Sequence, residues 1–150
     1  MHNHEPDGYN CPFCKMVSGS LSNDPDVIYE SELGFVCLGL RHHENSGPTV
    51  LVVPKAYYEN IYDLPNEVLA HLAVLSKNVA IAVRQMPGVE GVTVWQNNEP
   101  CGTQDVWHYH VHVKGRIAGD NVYKASPILT PECTKVEWTT ILTQLLENVE

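Results

Sequence analysis

Three histidines, His108, His110 and His112, stand at alternate positions in the stretch DVWHYHVHVKGR, which runs from Asp105 to Arg116. In an extended strand successive side chains point to opposite faces, so these imidazoles would share one face. At a rise of about 3.3 Å per residue, neighbours in the set lie about 6.6 Å apart. Trp107, Tyr109, Val111 and Val113 then fall on the other face and suit burial. Such a row allows three readings. It can be a solvated polar face. It can converge with a carboxylate, from Asp105, Asp120 or Glu99, on a catalytic zinc or iron. Or one imidazole is a nucleophile: a neutral histidine, with an ordinary pKa of about 6.5, attacks phosphorus at neutral pH. The covalent phosphoramidate splits one difficult displacement into two easier ones, and flanking imidazoles can donate to the phosphate oxygens as charge builds up.

The surrounding pattern supplies the elements that must position these residues. CPFCKMVSGS gives a tight turn and then a short helical turn, and DVIYESELGFVCLGL reads as two short strands broken at Ser31–Gly34. TVLVVP is a nearly continuous β-branched run stopped by Pro54, as expected of a buried central strand. From Asp63 the period changes: Val68, Leu72, Leu75, Val79 and Val83 recur at spacings of three and four, giving a long helix capped by Asp63 and ended at Met86-Pro87-Gly88. GVTVWQ is a further strand. A second helix is expected from about Lys135, with Thr134 and Glu137 at capping-box spacing and Ile141, Leu142, Leu145 and Val149 as its apolar side. The order implies an α+β fold: a mainly antiparallel sheet with one long central helix and a C-terminal helix, both on one side.

Bulk properties narrow the function. The 150 residues, 43% hydrophobic, suit a single domain spanning 1–150, with the polar residues 1–10 as a flexible tail. The balance of 9 basic to 18 acidic residues, net -9, disfavours general nucleic-acid binding but leaves room for a small phosphorylated ligand in a locally positive pocket. No apolar run approaches the roughly 18 residues of a membrane span, and MHNHEPDGYN has no apolar stretch of the secretory kind. Five cysteines, an odd number, fit a reducing, cytoplasmic setting better than a disulfide framework.

The stretch GTQDVWHYHVHVKGR resembles the signature of the histidine triad (HIT) superfamily, nucleotide-binding hydrolases and transferases whose motif is His-φ-His-φ-His-φ-φ after a Gly-x-Gln segment. Three further blocks resemble the family in the same order: CPFCKMVSGS, TVLVVPK and YENIYDLP. The resemblance implies that His110 is the nucleophile taking up the nucleotidyl group and that His112 contacts the phosphate. It gives His108 to the triad, and in relatives with the cysteine pair His108 turns towards zinc. Asn97 and Gln104 resemble the family's phosphate-binding asparagine and glutamine, and Gly102 would let the loop backbone approach. The expected activity is cleavage at the α-phosphate of nucleoside phosphoramidates, dinucleoside polyphosphates or related conjugates, with no cofactor needed for the chemistry. A homodimer paired through the long helix and a sheet edge is implied too. The alternatives are a catalytically weak nucleotide-binding regulator and a metal-dependent enzyme using the His108/His110/His112 face.

Four positions depart from the pattern. Asp105 follows Gln104 where the family has Ser or Thr, and a carboxylate about 4 Å from a phosphate costs about 4 kcal/mol at an effective dielectric of about 20. Thr49 opens the central strand in place of a histidine. Arg41 falls where an acidic residue is expected to bind ribose hydroxyls, with Glu44 as a possible substitute, and Gly115-Arg116 replaces Pro-Arg. Cys11 and Cys14 have the spacing that lets two thiolates share one tetrahedral ion, and with His108 they form the expected metal set of a possible structural zinc. The position of the family's second zinc histidine holds Tyr57, a poor zinc ligand.

Overall fold

The computed structural model describes residues 2–149; Met1 and Glu150, the ends of the expected 1–150 unit, lie outside the described residues. Its centre is a five-stranded, wholly antiparallel sheet in the order β1-β2-β4-β6-β5. These strands are β1 (Val27–Glu30), β2 (Gly34–Leu38), β4 (Thr49–Pro54), β5 (Gly91–Gln96) and β6 (Val111–Arg116), while β3 (Arg41–His42) pairs with β7 (Ile128–Leu129) in a separate ribbon. Three helices complete the fold: α1 (Pro12–Ser18), α2 (Asn66–Arg84) and α3 (Glu132–Glu147). The architecture is α+β, as the pattern requires.

Both faces of the sheet centre are covered, which explains why β2, and β4 beyond Thr49, are apolar rather than alternating. Val36, Leu38, Val50 and Val52 point to one side and pack with Leu72, Leu75, Val79 and Val83 of α2 and Leu142 and Leu146 of α3. Phe35, Cys37, Leu51 and Val53 point to the other side, where Phe13, Met16 and Val17 of α1 meet them. The long helix and the C-terminal helix thus share one side of the sheet, as expected, while the short α1 lies on the opposite face and forms a wall of the cleft described below.

Both expected helix caps also fail. Helix α2 begins after Pro65, so Asp63 instead closes a 3-10 turn, and α3 begins after Pro131, which puts Thr134 and Glu137 inside the helix. The prolines themselves take the N-cap positions in extended backbone, which leaves both helices without a side-chain cap. The polar segment 2–10 follows residues 57–62: Glu59 accepts from the His4 and Glu5 backbone N–H groups, and Asn60 Nδ2 donates to the His2 carbonyl. No helix among the described residues is long and apolar enough to cross a membrane.

Candidate functional site

Register across the sheet aligns the site. On the α1 side, Cys37 of β2 is opposite Leu51 of β4, Leu51 opposite His112 of β6, and His112 opposite Trp95 of β5. The next row on that face runs Thr49, Lys114, Thr93. Over these rows lies a cleft of ≈ 590 Å³ whose walls include Phe13, Met16, Leu40 and Pro127, with His110, His112 and Asp105 at one end.

The three histidines do not form one strand face. β6 begins only at Val111, because the segment before it leaves the ladder: the Tyr109 N–H goes to the Tyr58 carbonyl, 2.6 Å away. Tyr109, Val111 and Val113 enter the α2 core as expected, whereas Trp107 stays half-buried with its backbone N–H on the Tyr9 hydroxyl. His108 turns away from the cleft. Its Nε2 lies 3.0 Å from the Pro54 carbonyl, which can only accept, so the proton is on Nε2 and Nδ1 presents its lone pair to Cys11 Sγ (3.2 Å) and Cys14 Sγ (3.5 Å).

His110 has the opposite tautomer. Its Nδ1 lies 2.8 Å from the His108 carbonyl and must donate to it, leaving the Nε2 lone pair free. Burial lowers the His110 pKa from the ordinary histidine value, so the ring is neutral at pH 7. Phe13 packs against His110 and His108 at 5.4 and 5.5 Å between ring centroids. His112 stacks on Trp95 at 4.6 Å and 2°, and its ring lies 4.7 Å from that of His110. Both His112 ring nitrogens are buried without a partner among the described residues, and burial pushes its pKa down to about 3. A buried N–H left unpaired costs about 1–3 kcal/mol, so the ring is prepared to donate to an acceptor brought in from outside.

A family model described as HIT domain matches residues 21–119, a span that contains His108, His110 and His112. The chain belongs to the HIT family. An uncharacterized HIT-like protein of Methanocaldococcus jannaschii is 33% identical over 112 residues, 73% of this chain and 81% of that one. The protein hit of Bacillus subtilis is 31% identical over 104 residues, 69% of each chain. Among solved structures, a Zn-bound histidine triad family protein from Mycobacterium smegmatis is 30% identical with a TM-score of 0.76, covering 92% of this chain and 94% of that one.

Not every residue assigned by the HIT motif reaches the cleft. The Gln104 amide is used up by backbone: Nε2 donates to Glu59 O (2.6 Å) and Val106 O (3.1 Å), and Oε1 accepts from Glu99 N (2.8 Å). Gln104 braces the loop, and its donors are not free for a phosphate. Asn97, just past β5, reaches the Thr103 carbonyl at 3.4 Å and does not line the cleft. Gly102 is exposed in a 3-10 turn with open space beside it and an ordinary φ; the left-handed residues of this loop are Glu99 and Thr103. Asp105 is exposed and does line the cleft. Phe13 and Trp95, which spacing did not single out, are the residues that hold the two cleft histidines. A tryptophan in GVTVWQ was the available signal, but only the β5–β6 register places it over His112.

Cys11, Cys14 and His108 bring three donor atoms within 4.8 Å of one another. Burial pushes the Cys14 thiol up to about 12, so ionising it calls for a cation. Tyr57 stands at the fourth side, its ring 5.3 Å from His108 and its hydroxyl donating to Glu5. Glu5 lines the same hollow as both cysteines.

Proposed function

We propose that this HIT protein is a nucleotide hydrolase or nucleotidyl transferase that cleaves at the α-phosphate of nucleoside phosphoramidates, dinucleoside polyphosphates or related conjugates. The observation that carries the reading is the His110 ring: neutral through burial, its Nδ1–H tied to the His108 carbonyl and its Nε2 lone pair free at the end of a cleft large enough for a nucleotide. In the first step Nε2 forms a bond to the α-phosphorus while the bond to the leaving amine or phosphate breaks. The leaving group departs with that electron pair and takes a proton from water. A second water then attacks phosphorus, the P–N bond returns its electrons to Nε2, and the water's proton goes to solvent. One water is consumed and the ring is restored. His112 supplies an N–H to a non-bridging phosphate oxygen. Asp105, opposite the phosphate, disfavours leaving groups that keep extra negative charge and favours amines.

A metal-dependent enzyme built on all three histidines is disfavoured by the divergence of His108 from His110 and His112. We assign Cys11, Cys14 and His108 instead to a structural zinc, with Glu5 beside Tyr57 closing the fourth side. The convergence of the three donors, the Nδ1 lone pair of His108 and the Zn-bound relative support it. Bound there, zinc would supply a fixed tether between α1 and the segment leading to His110. The purified protein should carry about one zinc per chain by elemental analysis, and Cys14→Ser should lose it; a metal-free wild type would overturn the assignment. Five unpaired cysteines support residence in a reducing compartment such as the cytoplasm.

The test of the reaction is a single-turnover assay with a fluorogenic adenosine phosphoramidate. The wild type should release about one amine per site in a burst, and His110→Ala none, while AMP binding persists in both. Turnover surviving in His110→Ala defeats the mechanism. Binding without any burst in the wild type would identify a nucleotide-binding regulator.

A further inference from the structure

The end of the cleft away from His110 has a composition that a ribose diol does not explain. Arg41, His43 and Thr49 line it. The Arg41 side chain is exposed and has no carboxylate within ion-pair distance among the described residues. Asp26, the carboxylate on this side, is already engaged by Lys135 at 3.2 Å. Beneath the floor lies Lys114, fully buried on β6, its Nζ donating to the Gly47 carbonyl (2.9 Å) and Thr49 Oγ1 (3.0 Å). Asp120, the nearest acidic group acting on it, is held by both arms of Arg116. His43 contributes a buried Nδ1 with no partner.

The hydrogen-bond inventory here is one-sided. Guanidinium and ammonium groups only donate. Thr49 Oγ1 accepts from Lys114, which leaves its hydroxyl proton free to donate into the cleft. A carboxylate is the strong acceptor for a ribose diol, and the charged groups of this wall, Arg41 and Lys114, are donors only. A buried lysine with only neutral oxygens around it also lacks a counter-charge. An incoming group rich in acceptors and negative charge would satisfy all of these at once, and a guanidinium binds phosphate through two parallel hydrogen bonds. The chain as a whole carries a net charge of -9, so this positive wall is a local feature.

We propose that the Arg41–His43–Thr49 wall, backed by Lys114, is a subsite for a second phosphate on the nucleotide, carried at the ribose 2′ or 3′ position. The inference rests on the nucleotide reading of the cleft given above. It makes the preferred ligands nucleoside 2′,5′- or 3′,5′-bisphosphates and their 5′-conjugates, with the 5′-phosphate at His110 and the second phosphate at Arg41.

Titration calorimetry on the full chain tests it, with adenosine and guanosine 5′-monophosphates against their 2′,5′- and 3′,5′-bisphosphates. At least one bisphosphate should bind about tenfold tighter than the matching monophosphate, the gain expected from one charge-assisted contact. In Arg41→Gln that ratio should fall to within about twofold, and in Arg41→Asp it should invert, since the new carboxylate repels the phosphate and accepts from the diol. Monophosphates that bind as well as or better than both bisphosphates would overturn the subsite while leaving the nucleotide cleft standing. A bisphosphate preference that survives in both Arg41 variants would overturn the assignment to this wall. Failure of every nucleotide to bind would remove the cleft reading together with the subsite.

Discussion

A backbone carbonyl decides which nitrogen of His110 keeps a free lone pair, and another decides which nitrogen of His108 faces the two cysteines. As backbone atoms, neither oxygen is marked by residue type or spacing: one is the main-chain carbonyl of His108 and the other that of Pro54. The same dependence on burial governs Lys114. Removal from water pushes its pKa down from the ordinary lysine value to about 8. The folded state therefore gives up its proton near pH 8 while the unfolded chain keeps one until about pH 10.5. Below pH 8 the buried charge destabilises the fold, and the penalty is relieved as pH rises through that window. The stability of the wild type relative to Lys114→Met should increase by about 2 kcal/mol between pH 7 and pH 9.5, read from urea unfolding at both pH values. The Cys37 thiol, which burial pushes up, acts with the opposite sign at alkaline pH but is common to both proteins and cancels. A flat difference would mean that Lys114 reaches solvent or an unseen anion.

At the scale of elements, the end of β6 accounts for one departure from the HIT pattern. Gly115 donates its N–H to the Pro48 carbonyl (2.9 Å), and its own carbonyl accepts from Gly47 N (3.1 Å). A Cβ on Gly115 would lie 3.1 Å from Gly47 Cα and 3.1 Å from Val89 Cγ2. A proline at this position removes a donor and adds bulk against backbone, so Gly115→Pro should destabilise the fold by about 3 kcal/mol or more, seen as a lower urea midpoint. An unchanged midpoint would show that the loop before β4 yields freely. The long elements were legible because periodicity is a local property: the apolar runs of β2 and β4 and the stripe Leu72, Leu75, Val79, Val83 need no partner to be recognised. Element ends were not. Pro65 and Pro131 take the N-cap positions without a side-chain cap, and the alternation of DVWHYHVHV continues past the point where the ladder stops, since Tyr58, distant in sequence, takes the Tyr109 N–H. The site shows the same division. Spacing singles out His110 and His112, and the family motif Asp105, and all three line the cleft, whereas the bracing by Gln104 depends on the Glu59 carbonyl and the place of Trp95 on register.

At the scale of the whole molecule, one side of the sheet is unfinished. β5 is an edge strand, flanked by β6 alone among the described residues. Exposed edges of this kind template pairing with another chain unless charge or proline blunts them. Val94, in the middle of β5, is instead 50% exposed. On α2, Val74 and Ile81 are seven residues apart, so they share a stripe two turns long, turned away from the core stripe and exposed at 59% and 38%. Apolar surface on both the edge strand and the adjoining helix matches the homodimer that the HIT resemblance implies, formed when two β5 edges meet and two α2 helices flank them. We expect light scattering to give about twice the 16.8 kDa chain mass. Val94→Lys places a charge on the edge without touching the core, so its stability should change by no more than about 0.5 kcal/mol while the mass falls to that of one chain. A wild type that stays monomeric at tens of micromolar, or a Val94→Lys variant that stays dimeric, would move the interface away from β5. The cleft lies on the α1 face, so a monomeric Val94→Lys that keeps its burst would further show that one chain holds a complete site.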